Sequence, residues 1–224
     1  MSRNSLLAFL FVVGLMCSTT LASITLTDTA TFGSAVNPIS SGTPFSLSLA
    51  KFDTNLGELD SIEFRLNFTT DLTLSEKNYF YLPANSYATG STTVQVTGPT
   101  GLTASDSVYT GLMTGVVQGY TQNEAKILGT ETVSNQGASS FISAVDWNQF
   151  EGGPADTFSI AGTVTSGVIG TSDYSYTGLV YFYVAGDAYG TGEVVYTYNT
   201  VPEPSSLAMI AAGAGMLLAR RRRR

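Results

Sequence analysis

The chain has 224 residues, with 10 Lys and Arg against 17 Asp and Glu, no histidine and a single cysteine. Without histidine or a cysteine pair it lacks the usual parts of disulfide staples, structural zinc sites, His-based acid–base chemistry and Ser–His or Cys–His triads. Over residues 23–204 only Lys51, Arg65, Lys77 and Lys126 stand against 17 carboxylates, a net charge of −13, which repels nucleic acid and anionic headgroups.

The chain begins with Arg3, an apolar stretch over residues 6–16, and small residues at Thr20 and Ala22. That is the order of a secretory signal peptide, with cleavage expected after Ala22. It predicts passage through the secretion translocon and removal by signal peptidase. Cys17 lies inside this segment behind the large Met16, which does not suit a lipoprotein site, so the cysteine is expected to be discarded.

From residue 23 to 200 the composition is Thr, Ser, Gly, Val, Tyr and Phe in short alternating runs broken by Gly, Pro, Asn and Asp, the pattern of an all-β domain. Residues 61–70 give the clearest strand: Ile62, Phe64, Leu66 and Phe68 share one face, with Glu63, Arg65 and Asn67 on the other. Phe45, Leu47 and Leu49 alternate in the same way. The two runs flank FDTNLGELD, whose Asn55 and Gly57 suit a turn, so they are expected to pair as a hairpin. Further strands are predicted at 24–32, 79–82, 92–97, 141–146, 157–165, 179–185 and 193–199. The run 179–184 reads as a strand buried on both faces, and 186–192 as the loop of a closing hairpin. Residues 116–136 fit least, and 123–128 suit a short surface helix. The expected fold is an antiparallel β-sandwich, with a jelly roll among its forms, in one domain over 23–200.

Two acidic clusters invite a chemical reading. Asp53, Asn55 and Asp60, with Glu58 between, offer the oxygen ligands that calcium takes, but the twelfth position of an EF-hand loop falls on Phe64. A solvated turn is the competing reading. Asp146, Glu151 and Asp156 surround Trp147 and Phe150. This is either a sugar platform, with a carboxylate pair capable in principle of glycoside hydrolysis, or a tryptophan packed in the core beside a plain loop. Tyr79-Phe80-Tyr81 and Tyr181-Phe182-Tyr183 pose the same choice. Asn67-Phe68-Thr69 matches an N-glycosylation pattern without further support. No cofactor is expected.

The tail, residues 201–224, determines where the domain goes. Val201-Pro202-Glu203-Pro204 ends any sheet before it, an apolar run of 13 residues spans 207–219, and Arg220, Arg221, Arg222, Arg223 and Arg224 close the sequence. The run is short for a bilayer core of about 30 Å, but arginines snorkel to the interface and stay cytoplasmic, which places residues before Val201 on the far side of the inner membrane. These three parts resemble a PEP-CTERM sorting signal, a tail also catalogued as an ice-binding-protein C-terminal domain. The resemblance implies an exosortase, a membrane-embedded enzyme that cuts near the Pro-Glu-Pro step and passes the protein to the outer surface or exopolysaccharide matrix of a Gram-negative-type bacterium.

The ITLTDTATF, FDTNLGELDSIEFRLN and EVVYTY segments together resemble the choice-of-anchor E domain, a bacterial surface domain that brings no catalytic residues. The expected role is therefore a non-enzymatic protein of the cell surface or extracellular matrix. A carbohydrate-binding module with Trp147 as its platform, with calcium assistance as one of its forms, is the first alternative, and a carboxylate-dependent glycoside hydrolase the second.

Overall fold

β-Branched and aromatic residues alternating with Ser and Thr suit a pleated surface with one dry face, and most of the described residues between 23 and 200 lie in strands. The computed structural model describes residues 23–120, 124–135, 137–174 and 177–200, with Gly213. The expected signal peptide, Asn123, the Pro-Glu-Pro step, the apolar run apart from Gly213, and the arginine cluster lie outside the described residues. No helix among the described residues is long and apolar enough to cross a membrane.

The strands are β1 (Ser23–Phe32), β2 (Ile39–Ser40), β3 (Pro44–Ala50), β4 (Phe52–Asp53), β5 (Gly57–Asn78), β6 (Ala84–Thr97), β7 (Thr103–Tyr109), β8 (Met113–Val117), β9 (Lys126–Ser134), β10 (Ala138–Phe141), β11 (Glu151–Gly152), β12 (Thr157–Ser172) and β13 (Val180–Thr200). Single 3₁₀ turns occupy Pro99–Gly101 and Ala144–Gln149. In the first sheet β1 and β2 lie end to end against β13, β13 pairs with β5, and β9 and β10 lie end to end along the far side of β5. The second sheet runs β3–β12–β6, with β7 and β8 end to end on β6. All of these pairs are antiparallel. Each end-to-end pair counted as one row, the rows follow the order 1-8-3-6 in one sheet and 2-7-4-5 in the other, which is the double Greek key of a jelly roll.

The two sheets share one core. Ile62, Phe64, Leu66, Val194 and Tyr196 meet Leu47, Leu49, Val94, Val96 and Ile160, all at 0–1 % exposure. The short parallel pair β4–β11 closes one end with Phe52 and Phe150, both fully buried. Phe52 lies 5.6 Å from the Tyr196 ring and 5.1 Å from Tyr198, and Phe150 meets Phe158 edge-on at 4.9 Å. Polar groups tie the layers together: the Tyr196 hydroxyl donates to the Ala50 carbonyl at 2.8 Å, and the Ala50 N–H donates to Asp28 Oδ2 at 2.6 Å. Burial first, and the Asp28 charge second, push the Tyr196 hydroxyl well above the ordinary tyrosine range.

Several expectations are corrected. β3 and β5 do not form a hairpin. They lie in different sheets, and the FDTNLGELD segment crosses between the layers because the Phe52 N–H is held by the Phe150 carbonyl at 2.8 Å and Lys51 N–H by Asp156 at 2.8 Å. Alternation shows which face a strand buries, and these two strands bury theirs against the same core from opposite sides. The predicted loop at 186–192 is the middle of one continuous strand, β13. Its glycines serve close packing: a Cβ on Gly190 would lie 2.1 Å from the Asn67 carbonyl oxygen, and one on Gly192 would lie 2.5 Å from Leu47 Cδ1. Residues 179–184 are not buried on both faces, since Tyr181 and Tyr183 are 49 % and 43 % exposed. Tyr79–Leu82 forms the corner between β5 and β6 rather than a strand, β10 stops at Phe141, and Lys126 begins a strand instead of continuing a helix.

Candidate functional site

The two acidic clusters of the sequence do not converge on a centre. Asp53 is occupied locally, its Oδ1 accepting from the Asn55 N–H at 3.0 Å and from Asn55 Nδ2 at 2.8 Å. Glu58 and Asp60 alternate outward on β5 and are exposed. Around Trp147, Asp156 Oδ2 accepts the Gly153 N–H at 2.8 Å, which closes a turn. No group of three or more Cys, Asp or Glu side chains among the described residues is placed to hold a metal ion.

Trp147 sits in the Ala144–Gln149 turn, partly buried and packed against the core, and its indole N–H donates to the Ile142 carbonyl at 3.1 Å. The polar handle of the ring is thus satisfied inside the protein. A small cavity of about 200 Å³ opens beside it between Thr100, Thr103, Phe141, Ser143 and Asp146. The aromatic triplets gather at the other end of β13: Tyr79 meets Tyr181 edge-on at 5.6 Å, Phe80 packs on Tyr174 at 4.6 Å, and Lys77 Nζ lies 5.9 Å from the Tyr183 ring centre.

A larger concavity, about 430 Å³, lies on the outer face of the first sheet. Its walls include Thr31, Asn67, Thr69, Ser134, Tyr189 and Thr191. It exists because both outer rows are interrupted at the same level. β1 pairs with β13 down to Gly190 and β2 resumes at Ala188, while β10 pairs with β5 up to Leu66 and β9 resumes at Thr69. In the two central strands Asn67 faces Thr191 and Thr69 faces Tyr189 across the ladder, so the breaks form a groove running across the sheet. Asn135 fixes one bank: its Oδ1 accepts the Phe68 N–H at 2.8 Å, and its Nδ2 donates to the Leu66 carbonyl at 3.0 Å and to Asp106 Oδ2 at 3.1 Å. Gly33, at φ +57, forms the other bank, where a Cβ would come within 3.2 Å of Tyr189 Cβ. Next along the two central strands from the Asn67–Thr191 pair, Arg65 bridges Glu63 at 2.7 Å and Glu193 at 3.2 Å, and the Arg65 hydrogen bond holds the Glu63 carboxyl below its ordinary range. No local pattern of residues marks this groove, because it arises from where separate strands end.

β13 runs to Thr200, which pairs with Gly57, so the sheet is complete before the tail begins. Residues 200–224 match the PEP-CTERM protein-sorting motif. The motif indicates an exported protein, held transiently at a membrane and processed by an exosortase, itself a membrane enzyme. No curated protein matches the chain. Among solved structures, the T=1 particle of infectious bursal virus aligns at 12 % identity over 84 % of this chain and 42 % of that one, with a TM-score of 0.14. The Gx strain of infectious bursal disease virus aligns at 15 % identity over 90 % and 48 %, with a TM-score of 0.13. The VP2 subviral particle of that virus aligns at 16 % over 90 % and 50 %, with a TM-score of 0.12. The chain thus spans half or less of these proteins, and TM-scores this low carry no argument about fold or function.

Proposed function

We propose that the protein is a non-catalytic component of the bacterial cell surface or extracellular matrix, released from its sorting tail by an exosortase and associated with exopolysaccharide. The match of residues 200–224 to the sorting motif carries this reading. The signal peptide at 1–22, the apolar helix at 207–219 and the cytoplasmic position of Arg220 to Arg224 belong to it. A cut near Pro202 to Pro204 suits the fold, since β13 makes its last ladder contact at Thr200 and would be left whole. The ectodomain is read as a β-sandwich of the choice-of-anchor E kind.

The non-catalytic reading is supported by the way the carboxylates are spent. Asp28 holds a backbone N–H across the layers, Asp53 and Asp156 close turns, and Glu63 and Glu193 pair with Arg65. The internal hydrogen bond of Trp147 favours its packing role over a glycan platform.

Fractionation of native cells tests the proposal. The full-length protein is expected in the surface and matrix fractions, and a variant lacking residues 201–224 is expected free in the periplasm or medium. Equal distribution of the two forms would sink the sorting reading.

A further inference from the structure

We propose that the transverse groove on the outer face of the first sheet is a binding site for an uncharged polysaccharide strand, with Tyr189 as its ring platform and Asn67 as its principal hydrogen-bonding side chain. The inference rests on the matrix reading above and gives it a site, on a different surface from Trp147.

None of the residues that form the groove carries a charge, although the segment 23–204 has only 4 basic residues against 17 acidic ones. A site for a phosphate, a uronate or a cation would collect opposite charge, and this one collects amides, hydroxyls and a phenol. The surrounding acidity disfavours a polyanion in the same place.

Most of these polar groups are not already used within the protein. Elsewhere on the sheets facing hydroxyls bond to one another, as Thr73 with Thr130 at 3.0 Å and Thr93 with Ser107 at 2.7 Å. In the groove only Thr69 and Ser134 do so, at 2.8 Å. The Asn67 amide and the hydroxyls of Thr31, Thr191 and Tyr189 make no hydrogen bond to the described residues. Ligand sites combine an apolar wall with a few convergent polar groups, and here a half-buried tyrosine supplies the wall. A sugar ring presents the complement: an apolar face of C–H groups and a rim of hydroxyls that both donate and accept.

The floor of the groove does not suit a peptide strand. Peptides that bind by strand addition need an open edge with free backbone groups. At the level of the groove β13 and β5 are paired to each other through Gly190 and Phe68, and the floor presents side chains. The groups sit on strands, which hold them more firmly than loops would.

The test is affinity electrophoresis of the full chain in gels containing, separately, a soluble β-1,3-glucan, a β-1,4-glucan, a galactomannan, an α-1,6-glucan and a polyuronate. Retardation by at least one of the four neutral polymers and not by the polyuronate is expected. Tyr189→Ala should weaken it about tenfold or more, and Asn67→Ala by several-fold, with far-ultraviolet circular dichroism unchanged. Tyr109→Ala, which removes an exposed aromatic from the opposite sheet, should leave retardation intact and serves as the control for aromatic content. Because Tyr189 is half-buried, Thr31→Trp provides a second variant: it fills the groove from an exposed position and should also abolish retardation. No retardation by any neutral polymer, or retardation that survives Tyr189→Ala and Thr31→Trp in folded protein, would overturn the site. Binding by purified protein does not depend on tail processing, so loss of the groove and loss of the sorting reading are separately visible.

Discussion

Glu76 provides a stringent test of the packing described here. It continues the inward row Leu72, Leu74 of β5 and is fully buried, yet neither carboxyl oxygen has a hydrogen-bond partner among the described residues. Its register partners are Phe182 on β13 and Lys126 on β9, and no ion pair forms with that lysine. Burial raises its pKa above the ordinary value of 4.5, and the nearby Ser86 hydroxyl offsets this only in part without making a hydrogen bond of normal geometry. The sign follows from linkage. The folded state holds the proton to higher pH than the unfolded state, so stability is unaffected below the unfolded value and falls as pH rises through the raised folded value. Glu76→Met keeps the length and removes both polar atoms. A buried unsatisfied polar group costs about 1–3 kcal/mol and more when charged, and each kcal/mol is about 2–4 °C in Tm at this size. The variant should therefore be more stable by about 1–3 kcal/mol at pH 7, with the gain shrinking toward pH 4. Urea unfolding at the two pH values measures this. A variant less stable at pH 7, or a gain that does not depend on pH, would show that the Glu76 carboxyl is not the unsatisfied buried group described.

Other substitutions probe the layers one at a time. Phe52→Ala should cost about 3–5 kcal/mol, because the ring is fully buried between Tyr196 and Tyr198; urea midpoints read the loss. Gly192→Val should cost about 1–3 kcal/mol by overpacking, since even a Cβ would lie 2.5 Å from Leu47 Cδ1 and 3.0 Å from Phe64 Cζ; thermal unfolding would show a lowered Tm, and an unchanged Tm would contradict a continuous β13. Tyr196→Phe deletes the hydrogen bond to the Ala50 carbonyl and should cost about 0.5–1.5 kcal/mol or somewhat more for the orphaned acceptor, again by urea unfolding. Arg65→Gln should leave the midpoint unchanged, because its ion pairs are exposed and salt-screened.

What could be read from the residues follows from the period of the strand. Ile62, Phe64, Leu66 and Phe68 declare a buried face because side chains alternate, and the same phase extended through Leu72 and Leu74 puts Glu76 inside, a signal that was there to be used. Strand partnership is not local, so the hairpin expected from Leu47, Leu49 and the Ile62 row became two facing layers. The 186–192 stretch reads as a loop by residue type, and only the approach of Asn67 and Leu47 to Gly190 and Gly192 explains its glycines. Tyr189 was hidden in that supposed loop. Its groove depends on β1 and β2, and β9 and β10, breaking at one level, a property of the assembled sheet. The sorting tail is legible for the opposite reason, since its parts are consecutive and act by composition and order.

The proposed function stands or falls with export of the β domain and its release from the tail. Intact mass and C-terminal sequencing of protein recovered from outside native cells, compared with cells lacking the exosortase, test it most directly. A chain that ends near Pro202 to Pro204 is expected in the first, and one that keeps Arg220 to Arg224 in the second. A chain with all five terminal arginines outside both kinds of cell would contradict it.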